Sequence, residues 1–112
     1  MTLRPGEVVL LRIEFHQTPR GKLHPAVVPL DSGDDDFVAA PITSRLRTSD
    51  YDVSINKWRE AGLNTASTIR VHKLTVLAKV EIVRRLGELA VADRVALAEA
   101  LRRAFAMDQQ AR

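Results

Sequence analysis

The chain has 112 residues and no cysteine, which excludes a disulfide framework and thiol chemistry. Its 46% hydrophobic and 28% charged content is that of a soluble globular protein, and its length corresponds to one domain, 1–112, with a core of its own. A net charge of +3 and a pI of 9.8 permit a polyanionic partner without requiring one. Arg4, Pro5 and Glu7 interrupt any leader-like start, and no apolar run has the length of a membrane span, so a cytoplasmic location away from membranes is expected.

Residues 7–15 are rich in β-branched and aromatic side chains, and the alternation of Leu11, Ile13 and Phe15 with Arg12 and Glu14 predicts a strand with one wet face. Thr18-Pro19-Arg20-Gly21 reads as a loop. Ala26 to Leu30 is a second strand, and Pro29, lacking an N–H, places it at an edge or marks a bulge. Ser32-Gly33-Asp34-Asp35 is a turn before a third strand, Phe37 to Thr43. Tyr51 to Ile55 is a fourth, followed by a short helical turn over Asn56–Leu63 that Gly62 would cap. Thr68 to Val71 and Val80 to Leu86 complete the strands, with Gly87 marking a bend or bulge. Beyond that the period changes: Val91, Val95, Ala98, Leu101 and Phe105 recur at helical spacing and predict a helix over about 91–106 packed on the sheet by that stripe, with a tail at 107–112. Short strands followed by one helix give a mainly β, α+β chain, compatible with a small, strongly bent barrel.

The polar residues that could carry chemistry lie at the ends of these strands. The three histidines are His16, His24 and His72. His16 opens the first loop and His24 closes it, while His72 follows Arg70 by two residues, a spacing that puts both side chains on one face of an extended segment. Each alone also reads as an ordinary surface or hydrogen-bonded histidine. Thr43 and Ser44 end the third strand, where they either cap a turn or face a cleft. Gln17, Arg20, Lys22, Ser44, Arg45 and Arg47 lie in the two loops that would flank such a cleft, suited to holding a phosphate backbone or simply to solubility. Asp34-Asp35-Asp36 is better explained as an acidic hairpin turn than as a metal site, since consecutive strand residues point to alternate faces. Trp58 with Leu63 reads as satellite core rather than a stacking platform.

Several segments together resemble PemK/MazF-type toxins, small bacterial ribonucleases neutralised by an antitoxin. They are Pro5-Gly6-Glu7-Val8-Val9-Leu10, Gly21-Lys22-Leu23-His24-Pro25-Ala26-Val27-Val28, Val38-Ala39-Ala40-Pro41-Ile42-Thr43-Ser44, Trp58…Gly62-Leu63, Ser67-Thr68-Ile69-Arg70-Val71 and Leu86-Gly87-Glu88-Leu89. The resemblance implies an SH3-like barrel with a terminal helix and metal-independent cleavage of single-stranded RNA at a short motif, without a cofactor. It further implies a homodimer with clefts near the subunit interface and an antitoxin whose C-terminal segment, acidic and amphipathic to match a basic cleft, fills them. His16, His24, Thr43, Arg70 and His72 fall where the family places its cleft residues. One departure stands out: the family's usual Arg before the proline is His24 here, which moves that position from a fixed cation towards a proton donor. Two other readings belong to the same fold: a non-catalytic protein- or RNA-binding module, and a toxin that binds DNA gyrase.

Overall fold

A computed structural model describes residues 1–13 and 22–109. Among these residues seven strands form one sheet: β1 (Glu7–Leu11), β2 (His24–Leu30), β3 (Asp36–Thr43), β4 (Asp52–Ile55), β5 (Ser67–Arg70), β6 (Thr75–Ala78) and β7 (Ile82–Glu88). Among the described residues one α-helix, α1 (Val91–Ala104), follows β7. Hydrogen bonding runs in the order β4-β5-β3-β2-β1-β7, all pairs antiparallel, with β6 joined to the first half of β3.

The central strands are buried on both faces, which explains why Val8-Val9, Ala26-Val27-Val28 and Ala39-Ala40 are unbroken apolar runs rather than alternating ones. Val8, Val27, Ala40, Ile42 and Ile69 join Leu97 and Ala100 of α1 in one core. Val9, Leu11, Ala26, Val28, Phe37 and Ala39 form a second, closed by Leu3 and by Leu77 of β6.

Expected and observed elements differ by a residue or two at several strand ends, as at β2, β4 and β5, and more widely in four places. β1 ends at Leu11, and the expected continuation through Glu14 and Phe15 lies outside the described residues. β6 was not anticipated: four residues, Thr75 to Ala78, are too short to show a period, and only Leu77 is buried. The strand expected from Val80 begins at Ile82, because Lys79–Glu81 is a 3-10 turn. The fourth difference is the helix face. α1 stops at Ala104, and its buried stripe is Asp93, Leu97 and Ala100, whereas Val91, Val95 and Phe105 are 66%, 53% and 56% exposed. A carboxylate leads the true stripe, so a hydrophobic count rotates the helix away from it.

Asp93 earns its burial by hydrogen bonding. Its two oxygens accept the N–H groups of Asn56 (3.0 Å) and Lys57 (2.9 Å), tying the first turn of α1 to the chain leaving β4. Asp93→Ala is expected to lower stability by about 2–4 kcal/mol, since it leaves two donors unsatisfied; a denaturant midpoint equal to wild type would show the tie to be dispensable.

The segment thus anchored is a tight turn. Gly62 N–H bonds to Arg59 C=O (3.0 Å) and Leu63 N–H to Trp58 C=O (3.0 Å), the paired bonds of a Schellman ending, with Gly62 at φ +84° as the cap expectation required. Trp58 and Leu63 pack at the edge of the helix-side core. The turn rests directly on β7: a Cβ on Gly62 would collide with the Leu86 carbonyl, and one on Gly87 would lie 2.7 Å from the Ala61 carbonyl. These two glycines let the turn seat against β7, and so bring Leu63 and Asn64 beside Leu86. The register shift between Val8 and Val9 against Gly87 and Arg85 is the expected bulge. Pro29 likewise sits in a register shift between Val27 and Leu30, on a strand that is central rather than an edge.

Candidate active site

A cleft of about 830 Å³ runs across the sheet from β5 over β3, β2 and β1 to β7. Its lining brings together His24 at the start of β2, Thr43 and Ser44 at the end of β3, Arg45 and Arg47 just beyond, Lys22 from the loop before β2, and Arg70 at the end of β5. Eight of the residues singled out from sequence therefore share or adjoin one cleft, counting His72, which touches Arg70. His16, Gln17 and Arg20 lie outside the described residues. Among the described lining residues there are six fixed cations (Lys22, Arg45, Arg47, Arg70, Lys73 and Arg84) and no carboxylate. The lining also carries aliphatic side chains, among them Leu10, Leu23, Leu63 and Leu86.

Strand ends position the polar groups. Thr43 is half-buried, and its Oγ1 accepts the Arg45 N–H (3.1 Å), so the hydroxyl both makes the turn foreseen for it and keeps its own proton free to donate. The Nε–H of Arg47 is buried with no acceptor among the described residues, an arrangement that an anion in the cleft would satisfy. The pKa of His24 is lowered, chiefly because burial disfavours the imidazolium and secondarily because Lys22 repels it. The ring is therefore neutral at pH 7, better suited to accept a proton than the donor role anticipated for it.

Arg70 is held from behind. Asp52 lies opposite it in the β4–β5 register, and the Asp52 Oδ1 receives the Arg70 Nε at 3.3 Å. The carboxylate is fixed in turn by the Ser49 N–H on Oδ2 (2.9 Å), and its side chain is 2% exposed against 21% for Arg70. Burial pushes the Asp52 carboxyl up, but its hydrogen bonds from Ser49 and the Arg70 guanidinium outweigh this and hold it below the ordinary value. His72 is not on an extended strand: β5 ends at Arg70, and His72 lies in a 3-10 turn over Val71–Lys73. The two side chains still meet, with Arg70 Nη2 3.3 Å from His72 Nε2. Since a guanidinium only donates, this contact as a hydrogen bond uses the lone pair of a neutral imidazole. His72 does not line the cleft; its ring stands 5.9 Å from that of Tyr51.

Sequence reasoning missed Asp52, Asn64, Lys73 and Arg84. Asp52 becomes visible only through strand register, and the other three only through the fold that turns their elements towards the cleft. Among the described residues no group of three potential ligands could hold a metal ion, and the acidic run at 34–36 makes a turn in which Asp34 accepts the Asp36 N–H (3.0 Å).

The model of PemK-like, MazF-like toxins of type II toxin–antitoxin systems matches residues 4–105. The chain belongs to that family. Its structure is similar to that of the Mycobacterium tuberculosis toxin MazF-mt6, at 23% identity and a TM-score of 0.74, covering 95% of this chain and 100% of the other. A mycobacterial endoribonuclease in complex with its cognate antitoxin is similar at 18% identity and a TM-score of 0.76, covering 97% and 100%. MazF from Deinococcus radiodurans is similar at 18% identity and a TM-score of 0.73, covering 96% and 99%. A comparison with curated proteins gives no match. At these identities the structures establish the MazF-like fold, an antiparallel sheet with a C-terminal helix. No helix among the described residues is long and apolar enough to cross a membrane.

Proposed function

We propose that this chain is the toxin of a type II pair and a metal-independent endoribonuclease acting on single-stranded RNA through the 2′-OH. The observation that carries the reading is the convergence of His24, Thr43 and Arg70 in a cleft lined by cations without a carboxylate. His24 in its neutral form takes the 2′-OH proton. The 2′ oxygen then attacks phosphorus, the bond to the 5′ oxygen breaks, and a proton donor protonates the departing oxygen, leaving a 2′,3′-cyclic phosphate and a 5′-OH. Arg70 and the Thr43 hydroxyl stabilise the negative charge that builds on the phosphoryl oxygens. His72, at the far side of Arg70, orients the guanidinium in this arrangement, and His16 is the candidate for the proton donor.

The leucines of the lining offer apolar support to bases, while Lys22, Ser44, Arg45 and Arg47, with Gln17 and Arg20 of the first loop, hold the backbone. The antitoxin is read as an acidic, amphipathic segment competing for the same cations. A mycobacterial relative and MazF from Deinococcus radiodurans have been crystallised with their antitoxins. A bent, SH3-like barrel, a single domain over 1–112, a homodimer and a cytoplasmic site of action belong to the same reading.

Incubation of the purified protein with a long single-stranded RNA in EDTA tests it. Discrete cuts are expected. RNA that stays intact while bound would instead make the protein a non-catalytic binder, a reading favoured by the His24 replacement. Cleavage should also slow as the pH falls, because protonation removes the base, with an acid-side midpoint below 6.5 in keeping with the lowered pKa of His24. A rate indifferent to pH between 5 and 7 would take His24 out of that role.

A further inference from the structure

The cations of this molecule divide in a way that the reacting centre does not account for. Lys79 pairs with Asp31, Arg85 with Glu7, and Arg94 with Glu88. By contrast, Arg84, exposed and lining the cleft, has no carboxylate partner among the described residues. Arg84 and Arg85 are neighbours on β7 and so point to opposite faces. Arg85 is tied down, its Nε 3.3 Å from Glu7 Oε2 and its Nη2 donating to the Thr2 carbonyl at 2.6 Å.

Strand register fixes where Arg84 stands. It pairs with Leu10 of β1, and Leu10 pairs with Pro25 of β2, next to His24. Arg84 is therefore two strand spacings from the base-bearing strand, roughly 10 Å, and three from Thr43 on β3, roughly 14 Å. A phosphate held between Thr43 on β3 and Arg70 on β5 lies on the far side of β2 and β1 from Arg84. Leu10 and Leu86 line the intervening cleft, a strip with no carboxylate among its described residues.

We infer that Arg84 forms a separate phosphate subsite, so that RNA lies across the strands from Arg70 to Arg84 and is gripped at two or more phosphates. The inference rests on the RNA-cleft reading and deepens it. Affinity then grows with RNA length through a contact that carries no base sequence, because the phosphate it grips is the same at every nucleotide.

The test measures binding of fluorescent 2′-O-methyl RNA, which cannot be cut through the 2′-OH, as a dinucleotide and as a dodecamer over a salt series. Arg84→Gln should reduce the advantage of the dodecamer over the dinucleotide by about threefold to tenfold, and reduce the magnitude of the logarithmic salt slope by about 0.7, the value for one phosphate contact to a single strand. Arg84→Lys should restore the slope. Arg85→Gln, which removes the same charge from the other face, controls for net charge, and thermal melting checks that each variant is folded. An Arg84→Gln protein that keeps the wild-type length advantage and slope overturns the inference, even if RNA is cut. Uncut RNA in the EDTA assay, together with the expected Arg84 effect here, overturns the nuclease reading and leaves the subsite standing. Binding of polyglutamate in an Arg84-dependent manner, with no binding of the dodecamer, makes the strip a protein-docking surface and also overturns the inference.

Discussion

His24→Ala is expected to cleave RNA about 10²-fold more slowly than the wild-type chain, or slower still, the loss typical of removing a general acid or base. The ring begins β2 and is only partly buried, so the substitution should change the melting temperature little. The acid-side limb of the pH profile should vanish along with the rate, because the group whose protonation produces it is gone. His24→Arg places a fixed cation where the family usually has one, but a guanidinium cannot take the 2′-OH proton, so activity retained in that variant would take the general-base role away from His24. A His24→Ala protein with the wild-type rate and pH profile would make the position structural and leave Thr43 and Arg70 to carry the reaction.

Arg70→Ala should cost about 10²–10³ in kcat, since it removes a preorganised donor to the developing phosphoryl charge. Asp52 offers a finer test of the same site. Asp52→Asn keeps an acceptor for the Ser49 N–H but removes the negative charge behind Arg70, so it should lower kcat about 10-fold while RNA binding in the cleft is largely kept. The hold of Asp52 on Arg70 belongs to the ionised carboxylate. Its pKa is lowered, so the contact persists through neutral pH and loosens only as the pH falls below the ordinary value of 3.8. If Asp52→Asn and Arg70→Ala each leave single-turnover cleavage at the wild-type rate, the pair is a strand-register contact and nothing more.

Much of the cleft was legible because its residues sit at strand ends, where polar groups interrupt apolar runs. His24, Thr43 and Arg70 each begin or end a strand, and the family resemblance ties those ends to one cleft. The glycine at 62 was legible as a cap for the same local reason, and only the structure reveals that it also clears the Leu86 carbonyl. What could not be read depends on pairing between distant strands. Asp52 becomes a partner of Arg70 only through the β4–β5 register, and Arg84 faces the cleft only because β7 pairs with β1 in a bulged register. The helix misled for a different reason. Its buried stripe leads with Asp93, a residue that a hydrophobic pattern assigns to water, although two backbone N–H groups compensate its charge.

The chemistry of the cut ends tests the central claim most directly. Mass spectrometry of the fragments formed in EDTA should find a 2′,3′-cyclic phosphate, or the 3′-phosphate from its hydrolysis, on the upstream fragment and a 5′-OH on the downstream one. A single 2′-deoxy substitution at the cut nucleotide should abolish that cut alone. Fragments with a 3′-OH and a 5′-phosphate, or a cut that survives the deoxy substitution, would contradict attack by the 2′ oxygen and with it the roles given to His24, Thr43 and Arg70.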